Sequence, residues 1–172
     1  MYGVPNEEQR KVLPWSVPML NYADRLASTL QAYKKRIPRL TLAANLHRLM
    51  ASIEPRSHAA VRLQLAVTAL ETLFVSPAER RDLWESPIPC RVHQATTPGM
   101  AVSEGYFDEL RIVRNDAVHR GGLRRRGAKE RFMRARVLIE TELILRESLR
   151  WAIDNIEVVG EHFEDDSWPA NL

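Results

Sequence analysis

The chain has a single cysteine, Cys90, in 172 residues. An intramolecular disulfide is therefore impossible, and a disulfide-stapled secreted scaffold is excluded. Glycine is sparse, seven in all, and no segment keeps the apolar–polar alternation of a half-buried strand. No run reaches the roughly 18 uncharged apolar residues that a membrane span needs. The opening "MYGVPNEEQRKVLPW" lacks a basic stretch followed by an apolar one, so it does not read as a signal peptide. Glycine-rich phosphate loops, HExxH and G-x-S-x-G are all missing, which removes three common catalytic templates. These absences predict a soluble, cytoplasmic protein with no membrane partner.

What is present is a helical pattern. Hydrophobic residues make up 45% of the chain, enough for one domain with its own core. Residues 1–17 hold two prolines, Pro5 and Pro14, and read as an irregular lead-in. A helix is expected from about Pro18 to Ile37 on the spacing of Ala23, Leu26, Leu30, Tyr33 and Ile37, with Pro38 as its breaker. A second helix, about Arg39 to Ile53, would turn Leu42, Leu46, Leu49, Met50 and Ile53 inward. Ser57 is the expected N-cap of a third, "HAAVRLQLAVTALETLFV", apolar around much of its girth and so central. Ser76-Pro77-Ala78-Glu79 has the form of a capping box opening a short helix, "AERRDLWE". "SPIPCRVHQATTPG", with its three prolines, reads as a long loop.

Ser103 is the expected cap of the next helix, whose stripe is Tyr106, Leu110, Val113 and Ala117, with Gly121-Gly122 as its stop. A last helix from about Ala128 to Ile156 would face inward with Phe132, Ala135, Leu138, Leu145, Leu149, Ala152 and Ile156. Glu142 interrupts that stripe. The predicted organisation is an all-α bundle of five to six helices over 18–157, followed by an acidic tail over 158–172.

Charge is unevenly spread. Between Arg111 and Arg136 ten basic residues meet only two acids, Asp116 and Glu130, a local +8; the rest of the chain carries −5. Such an excess is the footprint of a polyanion-binding surface, and equally of a solvated basic helix face. Cys90 and His93 in "CRVH" are two donors on one segment, short of a metal site. His47 and His58 have no acidic or cysteine partners at ligand spacing. No metal and no cofactor is expected.

The stretch "RIVRNDAVHRGG" holds Arg114, Asn115 and His119. Metal-free RNA cleavage needs a base for the 2′-hydroxyl, an acid for the leaving 5′-oxygen and a fixed cation at the phosphorane. Histidine titrates near neutrality, and arginine binds phosphate through a planar fork. Five residues of ideal helix turn about 500°, so Arg114 and His119 lie about 140° apart, whereas Asn115 and His119 share a face. Catalysis thus requires that the chain leave helical geometry at His119, or that a second copy complete the site across a two-fold axis. The plainer alternative is that Arg114 salt-bridges an acidic neighbour and His119 helps cap a helix.

"RNDAVH" resembles the Arg, polar residue, three variable residues, His motif of HEPN domains (higher eukaryote and prokaryote nucleotide-binding). "LRIVRNDAVHRGG" and "LQLAVTALETLF" are similar to the motif helix and the "ALE-x-L" helix of the Apea-like, abortive-infection branch. The resemblance covers roughly residues 20–156. It implies a HEPN-like helical bundle that dimerises through the Arg114–His119 helix. It also implies a metal-independent endoribonuclease leaving a 2′,3′-cyclic phosphate, acting as a toxin or antiviral defence effector. Arg114 would hold the phosphate, His119 would be the acid/base, and Asn115 would orient the site. Arg111, Arg120, Arg124, Arg125, Arg126 and Lys129 would bind the RNA, with tRNA and mRNA among the candidate substrates and an antitoxin or defence-system protein as a further partner. Two other readings remain open: a HEPN module that binds RNA, nucleotide or a partner without cleaving, and a helical scaffold whose basic face pairs with the acidic tail.

Overall fold

The computed structural model describes residues 17–33, 35, 37–54, 58–75, 87–95, 102, 105–120, 127–157 and 159–160. These form six helices: α1 Val17–Tyr33, α2 Pro38–Ser52, α3 Ala59–Phe74, α4 Pro87–Ala95, α5 Tyr106–Arg120 and α6 Ala128–Asp154. No strand occurs among the described residues. The fold is an all-α bundle. No described helix is long and apolar enough to cross a membrane.

α3 is the central helix. Leu63, Ala66, Val67, Ala69, Leu70, Leu73 and Phe74 are all buried, and α2, α4, α5 and α6 pack around it. Burying one such leucine or phenylalanine contributes about 1.5–3 kcal/mol. The last turn of α3 has no glycine cap. Instead the Arg39 guanidinium of α2 donates to the carbonyls of Thr72 (3.2 Å), Leu73 (3.4 Å) and Val75 (2.7 Å). Arg91 of α4 donates to the Phe74 carbonyl. Cationic donors at a helix C-terminus satisfy the orphan carbonyls and oppose the helix dipole.

α5 and α6 are antiparallel neighbours. Tyr106 meets Thr141, Glu109 meets Arg136, and Asp116 meets Arg134, so numbers fall along α6 as they rise along α5. The Thr141 hydroxyl donates to the Val137 carbonyl at 2.6 Å, so the Tyr106 hydroxyl is the donor in the 2.8 Å bond between them. Burial pushes the Tyr106 phenol well above its ordinary range, and it stays protonated. α5 is entered through Gly105, whose φ of 74° is the left-handed conformation that glycine adopts without cost.

Three expectations need correction. The segment read as a loop contains α4. Two of its prolines, Pro87 and Pro89, fall in the first turn, where backbone N–H groups have no helical partner to lose. Ile88, Val92 and Ala95, at helical spacing, are all buried. In α2, Leu42 and Leu49 face outward, while Leu40, Ala43 and Met50 are buried. That helix carries apolar residues on two sides, and the one holding Leu40 beside buried Ile37 turns inward. In α6, Phe132 is 74% exposed and Ala135 is exposed. Asp116 draws Arg134 into the interior instead, and Val137, Thr141, Ile144, Leu145 and Ser148 follow on that face.

The remaining boundaries shift by a few residues. Pro38 opens α2 at its first turn. His58 stands at the N-cap of α3 and makes no capping bond with its side chain. Ser57, Ser103, the capping box at 76–79, the "AERRDLWE" segment, Gly121-Gly122, residues 1–16 and residues 161–172 lie outside the described residues. Glu142, the break in the α6 stripe, is explained. It accepts two hydrogen bonds from Arg62 of α3, Nε to Oε1 at 2.8 Å and Nη2 to Oε2 at 2.7 Å. Arg62 Nη1 donates to the Ile53 carbonyl at 2.8 Å.

Candidate functional site

α5 carries Arg114, Asn115 and His119. Tyr106, Leu110, Val113 and Ala117 are buried along one side of it, as their spacing predicts. Asp108, Arg111, Ile112, Asn115, Val118 and His119 are exposed. Their spacing of three, one, three, three and one residues is a continuous outer face. Asn115 and His119 stand one turn apart on it.

Arg114 lies off this face. Its Nη2 is 2.8 Å from Oε1 of Glu71 on α3, with both side chains partly exposed (35% and 23%). α5 runs unbroken through His119 to Arg120, so the chain keeps helical geometry there. The offset of about 140° between Arg114 and His119 therefore holds. The salt bridge to an acidic neighbour, the plainer expectation for Arg114, is present. His119 sits exposed in the last turn of α5. Within one chain the two residues point to different sides of one helix.

The other basic residues divide. Arg111 is exposed, 3.9 Å from Asp108. Arg134 and Arg136 are tied to Asp116 and Glu109. Arg131 is exposed. Arg120 ends α5 and Lys129 lies in the first turn of α6, with both side chains outside the described residues, as are Arg124, Arg125 and Arg126. The local +8 is thus partly neutralised by contacts within the bundle. Arg114, Arg134 and Arg136 each face a carboxylate, and two of those carboxylates, Glu71 and Glu109, belong to residues outside 111–136.

Glu71 has no role in the sequence reading, although it sits in "ALETLF". Its signal is a carboxylate between Leu70 and Leu73 in the apolar half of α3, which marks a charge that needs a partner. The histidines outside the motif are unremarkable as ligands. His93 is exposed and makes an edge contact with Phe107, ring centroids 6.2 Å apart. His58 is exposed. His47 is half-buried, and burial, then Arg146, hold its imidazole below the ordinary value, with Glu142 acting in the opposite direction. Among the described residues no three His, Cys, Asp or Glu side chains converge as a metal cage.

Eight large hydrophobic side chains are exposed among the described residues, and five lie on α5 and α6: Ile112, Val118, Phe132, Ile139 and Leu143. Phe132, Ala135, Ile139 and Leu143 recur at three and four residues, so α6 has an outer apolar stripe as well as an inner one. The antiparallel register brings the Phe132 end of that stripe to the level of the Asn115–His119 end of α5. The chain matches no protein-family model, no curated protein and no solved structure.

Proposed function

We propose that this chain is a metal-independent endoribonuclease of the HEPN type, acting in the cytoplasm as a toxin or antiviral defence effector. The carrying observation is the outer face of α5, on which Asn115 and His119 are solvent-accessible one turn apart while Arg114 is held at the flank. In the reaction the 2′-oxygen attacks phosphorus and the bond to the 5′-oxygen breaks. One proton leaves the 2′-hydroxyl and another reaches the 5′-oxygen, giving a 2′,3′-cyclic phosphate and a 5′-hydroxyl. Arg114 stabilises the phosphorane charge and His119 moves the proton. Asn115 orients the scissile group. Arg111 adds positive charge beside them, as do Arg120, Arg124, Arg125, Arg126 and Lys129 in this reading.

One His119 supplies either acid or base. The reading therefore includes a homodimer in which α5 of each copy faces the other and two His119 side chains share one cleft. The exposed Ile112, Val118, Phe132, Ile139 and Leu143 support it, because apolar side chains gathered on the outer faces of two neighbouring helices are suited to an interaction site. The test is incubation of purified protein with RNA in EDTA. Cleavage is expected, and Arg114→Ala or His119→Ala should each lower it by about a hundredfold or more with the helical spectrum unchanged. Cleavage that survives both substitutions overturns the assignment.

A second reading is a non-catalytic module that binds RNA, a nucleotide or a partner. It is favoured by the existing Arg114–Glu71 pair, which gives Arg114 a structural role. RNA binding that weakens with salt, without any cleavage, would select it.

A further inference from the structure

Three helices meet at the last turn of α3. Arg39 from α2 and Arg91 from α4 hold its carbonyls at Thr72, Leu73, Phe74 and Val75. Leu70, Leu73 and Phe74 anchor it in the core. Glu71 stands on this braced turn and meets Arg114 of α5. On the α5 side, buried Val113 and Ala117 flank Arg114 and fix its backbone.

Resting on the ribonuclease reading above, we infer that Glu71 is the positioning residue for Arg114. An arginine side chain has many rotamers of similar energy, and ordering one costs entropy at the moment a phosphorane forms. A carboxylate on a rigid turn removes that cost beforehand, which is how a supporting residue raises kcat without touching substrate. Glu71 is partly exposed and meets the guanidinium at Nη2. Its contribution is therefore orientation, while the phosphate charge is met by Arg114 itself. The arginine clamps at the end of α3 belong to the same device, because they fix the turn from which Glu71 points.

The experiment compares wild type, Glu71→Gln and Glu71→Asp. It measures single-turnover RNA cleavage, affinity for an RNA with a 2′-deoxy scissile position, and the side-chain N–H signal of Arg114 in nitrogen-15-labelled protein. Arg114→Ala assigns that signal by its loss. Glu71→Gln is expected to lower the cleavage rate about tenfold with affinity for the analogue unchanged, and to mobilise the Arg114 signal. Glu71→Asp, which keeps the charge on a shorter arm, should recover part of the rate, and it stands in if the glutamine variant does not fold. An unchanged or faster rate in Glu71→Gln, or an Arg114 signal that stays restrained, overturns the positioning role. A wild type that cleaves no RNA overturns the ribonuclease reading itself and removes the inference with it.

Discussion

Arg134 of α6 and Asp116 of α5 meet at 2.6 Å, with the arginine side chain only 6% exposed. Asp116 thus neighbours the motif residues in sequence but serves the α5–α6 contact. Removing one partner of a buried ion pair leaves an uncompensated charge, at a cost of about 3 kcal/mol or more. Asp116→Ala should therefore lower the unfolding free energy by that amount, read from a lower urea midpoint at unchanged m, while in the ribonuclease reading cleavage per folded molecule stays at the wild-type level. A stable Asp116→Ala protein with lost cleavage would move Asp116 from the fold to the site.

The Arg62–Glu142 pair makes a similar prediction for the centre of the bundle. All three guanidinium nitrogens of Arg62 donate, two to Glu142 and one to the Ile53 carbonyl. Glu142→Ala is expected to cost about 3 kcal/mol. Replacing both partners by apolar residues of similar volume should cost much less. Equal losses in the single and double variants would show that packing, not the stranded charge, sets the energy.

α4 offers a direct check on a correction. A loop would tolerate Ile88→Ala within about 0.5 kcal/mol. A core helix would not, because the deletion opens a cavity and costs about 2–4 kcal/mol. Equilibrium unfolding of that single variant distinguishes the two, and the larger value is expected because Ile88 is fully buried.

His47 gives the bundle a pH dependence. Its imidazole is held below 6.5 in the fold, so the unfolded chain binds more protons near and below that pH. Stability is then full above about pH 6.5 and falls as the solution is acidified. His47→Gln should flatten the thermal-melting profile between about pH 7.5 and about pH 5.5, where an unfolded imidazole titrates. An identical acid slope in the variant would assign the dependence to other groups.

The outer face of α6 predicts self-association. Phe132→Glu and Ile139→Glu are expected to leave the helical content intact, since both side chains are exposed. In the dimer reading they weaken association strongly, and sedimentation would show a shift from dimer to monomer. A wild type that sediments as a monomer at every concentration would remove the shared cleft, and with it the second His119.

Much of this fold was legible because most helices bury one stripe. The pattern of Tyr106, Leu110, Val113 and Ala117 gave α5, and the girth of apolar residues gave the central α3. Ambiguity arose where a helix is apolar on two sides. Periodicity alone ranks Phe132–Ala135–Ile139–Leu143 beside Val137–Thr141–Ile144–Leu145, and the partners Asp116, Tyr106 and Arg62 on other helices decide between them. α4 was missed because proline reads as a breaker unless its place in the first turn is known. At the candidate site, the spacing of Arg114 and His119 already gave their angular offset. Glu71, 43 positions before Arg114, could not be paired with it until the helices were placed.

The chemistry between Arg62 and Glu142 also has a consequence for the order of events at synthesis. The two residues are 80 positions apart. At roughly 5–20 residues per second, the ribosome makes Arg62 several seconds before its counter-charge. Until α6 emerges, the first turn of α3 carries a guanidinium without its counter-charge, set beside Val61 and Leu63. The ion pair that ties α3 to α6 is therefore among the last contacts the growing chain can make.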